Sequence, residues 1–246
     1  MTQTPAKRSL LKIPSRHGIW SRLSLLGEKL GWEWLVYNPG IFKSFHEAAL
    51  KNGPILAGPV LKEFPDSRSF VDVGCGTGGF AAEFQRRGLK VIGFEYSPRG
   101  REWAKRTGID VRPFDVSKSD TADLSGQRAD VVLSTEVAEH VPPFLADAFV
   151  KFVASCGDNI VFTACPPNGP VRGNGHINEQ HKPYWIEKFQ AQGYRHDPAK
   201  TERIAAALRA AGASYYMYEN LMIFEKQGSP VVESKLGSRE KISSRA

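Results

Sequence analysis

With 246 residues, 41% hydrophobic and 24% charged, the chain has the size and composition of one ordinary soluble α/β domain with tails. No apolar run reaches membrane-spanning length and the start lacks the apolar core of a secretory signal. The three cysteines, Cys75, Cys156 and Cys165, are spaced for neither a disulfide framework nor a zinc knuckle, so a reducing, cytoplasmic setting is expected.

The net charge of +7 sits in the ends, with +5 in residues 1–22 and +3 in residues 226–246, around a body of −1. A nucleic-acid groove would carry its charge on the folded body, so nucleic acid is not an expected partner. RNA or a membrane surface would meet the tails instead.

Along the chain, residues 1–15 are expected to be a disordered basic N-terminus. Residues 16–65 read as a helical cap, with Trp20, Leu23, Leu26, Leu30, Trp34, Phe42 and Phe45 at spacings that bury helix faces. Asn38-Pro39-Gly40 breaks that run in two. In residues 66–226, strands are predicted over 69–73, 90–94, 109–112, 130–134 and 159–163, with helices near 79–87, 98–107 and 142–154. That alternation specifies a parallel sheet with helices on both faces. Residues 184–192 and 201–211 then read as helices, 194–197 and 220–225 as strands, and 227–246 as a flexible tail.

The densest signal is Ser69-Phe70-Val71-Asp72-Val73-Gly74-Cys75-Gly76-Thr77-Gly78-Gly79. An apolar strand meets an acid, and glycines then open a helix. Glycine lets the backbone approach a ligand closely and tolerates positive φ, while the helix start offers unpaired N–H groups. Gly74, Gly76 and Gly79 satisfy G-x-G-x-x-G, which alone admits a nicotinamide-dependent oxidoreductase. Three acids point elsewhere. Asp72 before the loop suits a cationic ammonium and sulfonium better than a pyrophosphate. Glu95, ending the next strand, can accept two ribose hydroxyls, and Asp115 after the third strand can accept an adenine amino group.

On these residues the chain resembles the class I S-adenosylmethionine-dependent methyltransferases, over roughly residues 69–225. The resemblance implies a Rossmann-like sheet of seven strands in the order 3-2-1-4-5-7-6, the last antiparallel, with helices on both faces and the N-terminal segment as a cap. It implies S-adenosylmethionine as cofactor, held by Asp72, Gly74, Cys75, Gly76, Gly78, Glu95, Tyr96, Asp115, Val116 and Glu136. Cys75 reads as a small loop residue rather than a nucleophile.

After the fourth strand comes Glu136-Val137-Ala138-Glu139-His140. On a helical turn, positions 136, 139 and 140 share one face, and two carboxylates with an imidazole make ligands for Mg²⁺, Mn²⁺ or Zn²⁺. The element resembles the E-x-x-E-H of small-RNA 3′-terminal 2′-O-methyltransferases, which holds a divalent ion with a distant histidine. Ubiquinone-pathway O-methyltransferases carry a similar segment. A fourth ligand is offered by His176, or next by His181, in a loop rich in glycine and proline. In the competing reading Glu136 borders the methionine moiety, while His140 caps the helix or acts as a base. Tyr184-Trp185 could line the acceptor pocket, although helix packing suits the pair better.

Gly175 to Gln180 with Tyr184-Trp185-Ile186 is similar to methyltransferases of the "methyltransferase domain 23" kind, many of which act on sugars, polysaccharide precursors or secondary metabolites. The expected reaction is O-methylation of a small hydroxylated acceptor. N-methylation and metal-assisted RNA 2′-O-methylation are alternatives within the class. The proton would leave through His140 or His176, or the hydroxyl would be acidified by a bound cation. A binding module without turnover is a further possibility, and the oligomeric state is left open.

Overall fold

The computed structural model of the protein describes residues 39–118, 128–169 and 175–228. The expected disorder of residues 1–15, the cap residues 16–38 and the tail from residue 229 lie outside the described residues.

Helix α1 (Pro39–Glu63) starts at the expected breaker, where proline has no amide to leave unpaired. Phe42 is buried, but Phe45, expected on a buried face, is 42% exposed. The helix lies close on α2 (Gly79–Arg86). A Cβ at Gly79 would stand 2.7 Å from that of Ala49, so glycine sets the approach. Asn52, buried, ties α1 to the chain at Ser214: its amide donates to Ser214 Oγ at 3.1 Å, and its oxygen accepts from Ser214 N at 2.9 Å.

Seven strands of the described residues form one sheet in the order β3-β2-β1-β4-β5-β7-β6. They are β1 (Ser69–Val73), β2 (Lys90–Glu95), β3 (Asp110–Pro113), β4 (Ala129–Thr135), β5 (Gly157–Thr163), β6 (Tyr194–His196) and β7 (Met222–Lys226). Strands β1 to β5 are parallel, and β7 runs antiparallel to both β5 and β6. This is the expected order and direction. Helices α3 (Pro98–Arg106), α4 (Ala146–Cys156), α5 (Lys182–Ala191), α6 (Pro198–Ala210) and α7 (Tyr215–Glu219) are the other α-helices among the described residues. The helix expected over 142–154 divides into a 3₁₀ turn at Pro143–Leu145 and α4. The short α7 was not foreseen, since one turn is too brief for a periodic pattern.

Successive strand side chains go to opposite faces, and both faces are covered. Val71, Val132, Ile160, Phe162 and Phe224 belong to one core with Phe149 and Phe152 of α4 and Trp185 and Phe189 of α5. Phe70, Val131, Leu133, Val161 and Ile223 belong to a second core with Leu56 of α1, Phe84 of α2 and Leu208 of α6. Parallel strands buried on both sides read as continuous apolar runs. No helix among the described residues is long and apolar enough to cross a membrane.

Strand order reverses between β1 and β4. In open α/β sheets that reversal leaves a crevice at the carboxyl ends of the strands. The glycine loop and the Glu136–His140 segment both emerge there.

Candidate active site

Gly74, Gly76 and Gly78 have φ of +78°, +54° and +75°, a region that costs other residues about 1 kcal/mol or more. Their neighbours differ. A Cβ on Gly74 would stand 2.4 Å from Val137 Cγ2, because the turn after β4 presses on the loop, whereas a Cβ on Gly76 would meet nothing within 4 Å. The loop thus has a supported base and an open crest. Gly74 N and Cys75 N both donate to Phe94 O, at 2.8 and 2.9 Å. The Cys75 side chain is buried against Gly93, and burial pushes its thiol well above the ordinary range. That fits a packing residue.

The three acids lie at the strand ends as expected, in unlike surroundings. Asp72 is 1% exposed, and neither carboxylate oxygen has a hydrogen-bond partner. Burial, with the charge of Glu95 added, raises it from 3.8 to about 8. A buried carboxyl with no well-formed hydrogen bond is a group prepared for a cation. Glu95 accepts from Gly76 N through Oε2 and from Ser97 N through Oε1, each at 2.7 Å. Those bonds fix its plane above the loop. Asp115 accepts from Ser117 N at 3.0 Å and pairs with Lys118 at 3.0 Å. Burial opposes its ionisation, but these partners outweigh it and hold the carboxyl below its usual value. Asp115 and Phe114 line a cavity of about 250 Å³ with Tyr96, Arg101 and Lys118, and Val116 is half-buried beside them.

The segment after β4 departs from the expected geometry. Glu136 is left-handed (φ 53°), so it lies outside the 3₁₀ turn Ala138–His140 instead of starting a helical face with it. Its N–H donates to Thr163 O at 3.1 Å, and a carboxylate oxygen accepts from Asn220 Nδ2 at 3.0 Å. Glu139 is fully buried, and its carboxylate oxygens lie beside the Glu136 carboxyl and the Cys165 backbone without a well-formed hydrogen bond. Burial, reinforced by the charge of Glu136, pushes its carboxyl well above the ordinary range. Ligand atoms of Glu139, His140 and His176 lie within 4.8 Å of one another, and His176 Nε2 stands 3.9 Å from Glu139 Oε1. His140 Nδ1 is 3.0 Å from Gly175 O. A carbonyl only accepts, so Nδ1 carries the proton and Nε2 the lone pair. Burial, then the neighbouring His176, lowers His140 to about 4, so the ring is neutral near neutral pH. One deeply buried acid beside two imidazoles has the donor set of a divalent-cation site.

His181 is exposed at the start of α5 and stays outside this group. Trp185 is buried in the core, the packing role expected of it over lining the acceptor pocket. Several contributors were not foreseen: Ser97 and Val137 at the glycine loop, Asn220 and Thr163 around Glu136, and Glu179 beside His176. His46 of α1 also went unread; its Nδ1 shares a 3.3 Å hydrogen bond with Thr77 Oγ1. Only Glu179 carried a local signal, three residues after His176.

A family model described as a methyltransferase domain matches residues 45–212. An uncharacterized methyltransferase of Mycobacterium sp. (strain KMS) is 40% identical over 78 residues, 32% of this chain and 31% of that protein. A ubiquinone biosynthesis O-methyltransferase of Cereibacter sphaeroides is 31% identical over 133 residues, 48% of this chain and 53% of the relative. The chain therefore spans about a third to about half the length of these curated relatives. The solved structure of S-adenosylmethionine-bound CalS10, an amino pentose methyltransferase of Micromonospora echinaspora, aligns with a TM-score of 0.56 at 14% identity, covering 76% of this chain and 96% of that one. At that identity the likeness is one of fold.

Proposed function

The chain belongs to the methyltransferase-domain family, and from that premise we propose that it moves the methyl group of S-adenosylmethionine onto an oxygen of a small hydroxylated acceptor: a sugar, a polysaccharide precursor or a secondary metabolite. The observation that carries the oxygen-directed part is the Glu139 carboxyl, buried, without a well-formed hydrogen bond and facing two imidazoles. A hydroxyl must shed its proton as the new C–O bond forms, and carboxylate–imidazole clusters serve that need. The ubiquinone biosynthesis O-methyltransferase relative supports the same choice of atom.

Asp72, Glu95 and Asp115 would hold the cofactor together with the backbone of Gly74, Cys75, Gly76 and Gly78 and the flanking Tyr96, Val116 and Glu136. S-adenosylmethionine supplies a carbon already activated by its sulfonium. The rest is orientation by the chain. Glu95, fixed by two N–H groups, would accept the ribose hydroxyls, and the negative charge of Asp72 would be stabilised by the cationic methionine end. Glu139, His140 and His176, with Glu136 beside them, would hold a divalent cation, whose chemistry is to acidify the acceptor hydroxyl. His140, kept neutral to about pH 4, suits a ligand better than a base. In a metal-free reaction the proton would go to His176. The unpaired cysteines support a reducing, cytoplasmic setting.

Incubating the full chain with methyl-labelled S-adenosylmethionine and matched hydroxylated and amino acceptors, before and after exhaustive chelation, tests this reading. Labelled methyl ethers are the expected products. Label found only on nitrogen would refute the choice of atom, and turnover indifferent to chelation, Mg²⁺ and Mn²⁺ would remove the cation.

A further inference from the structure

We infer that Glu179 is a positioning residue that sets the orientation and tautomer of His176. The inference rests on the Glu139–His140–His176 reading for its purpose, but not for its geometry. His176 Nδ1 lies 2.9 Å from Glu179 Oε1, and the opposite nitrogen faces Glu139 Oε1 at 3.9 Å. An ionised carboxylate can only accept, so the bond puts the proton on Nδ1 and turns the Nε2 lone pair toward Glu139.

The neighbouring ring obeys the same rule by other means. His140 is oriented through Nδ1 by the carbonyl of Gly175, and the two ring centroids are 4.8 Å apart at 86°. One imidazole is thus set by the main chain and the other by a side chain. The loop bearing His176 is itself fixed, since Ile177 N and Asn178 N both donate to Glu139 O, at 2.9 and 3.0 Å. The backbone of Glu139 anchors the loop while its carboxyl faces the ring. What the backbone leaves undetermined is rotation of the His176 ring, and Glu179 determines it. Without that carboxylate, His176 can present Nε2–H to Glu139 as a donor, closing the cluster on itself. Outer partners of this kind typically change metal affinity or activity by about 10–100-fold.

The test uses full-chain protein labelled with ¹⁵N-histidine, with His176→Gln to assign the resonance. Long-range ¹H–¹⁵N spectra should show the Nδ1–H tautomer in the native chain and in Glu179→Gln, whose amide oxygen still accepts. Glu179→Ala should show Nε2–H or a mixture. In parallel, Glu179→Ala should weaken Mn²⁺ binding and lower kcat by about 10–100-fold with KM for S-adenosylmethionine unchanged, while Glu179→Gln stays close to native. A native Nε2–H tautomer, or a tautomer indifferent to Glu179→Ala, overturns the inference whatever Mn²⁺ does. A tautomer that shifts in a protein binding no Mn²⁺ upholds the positioning role and rejects only the cation.

Discussion

Replacing Asp72 by asparagine should make the cofactor-free protein more stable above neutral pH and a poorer binder of S-adenosylmethionine. Asp72 rises from 3.8 to about 8 on folding, through burial and then the charge of Glu95. Because the folded value lies above the unfolded one, the linked stability is fully present below about pH 4 and is lost as pH climbs toward 8. At about 1.4 kcal/mol per pH unit, that displacement caps the loss at roughly 5–6 kcal/mol. Asp72→Asn is neutral throughout and lacks the fall, less about 1–3 kcal/mol for its own unpartnered amide. Near pH 8 the variant should therefore melt roughly 5–10 °C higher. Ligand binding reverses the sign: a cation beside Asp72 favours the ionised form, so association below pH 8 should release up to one proton. Affinity should then rise with pH by as much as about tenfold per unit in the native chain and stay flat in the variant. Thermal melts across pH 5–9, with calorimetry in buffers of unlike ionisation heat, read both effects. Parallel melting curves for the two proteins, together with binding that releases no proton, would refute the reasoning.

Two further outcomes follow from the same loop. Glu95→Ala removes the acceptor that Gly76 N and Ser97 N hold in place and should weaken S-adenosylmethionine binding by about 1.5–3 kcal/mol, roughly 10–150-fold; unchanged affinity by calorimetry rules out its ribose role. Gly74→Ala brings a Cβ to 2.4 Å from Val137 Cγ2 at φ +78°, so strain and overpacking should together cost about 2–5 kcal/mol. Adding Val137→Ala should recover the overpacking part only, and full recovery in urea melts would show that the backbone is not strained.

The sheet was legible because its strands are buried on both faces, so that runs such as Val131-Val132-Leu133 and Val161-Phe162 stand out from their surroundings. The glycine loop and the strand-end acids were legible for a different reason: positive φ and close approach demand glycine, and a position at a strand end fixes where an acid must lie. The turn after β4 was legible in composition but not in shape. Its spacing suggests one helical face, yet Glu136 takes a left-handed conformation because Thr163 and Asn220, distant in sequence, capture its N–H and carboxylate. Asn220 and Val137 act through contacts made only after folding, so no local pattern could mark them.

The crevice divides the labour of the protein along its length. The C-terminal ends of β1 and β2 and the turn after β3 carry Asp72, Glu95 and Asp115, the acids proposed to hold the cofactor, whereas the segments following β4 and β5 carry Glu139, His140, Cys165 and the histidine loop. On the proposed reading, acceptor preference can accordingly drift through changes after β4 and β5 while the nucleoside half is left alone. The seam between the halves is Val137 against Gly74, and there a bulkier residue on either side would disturb both inheritances at once.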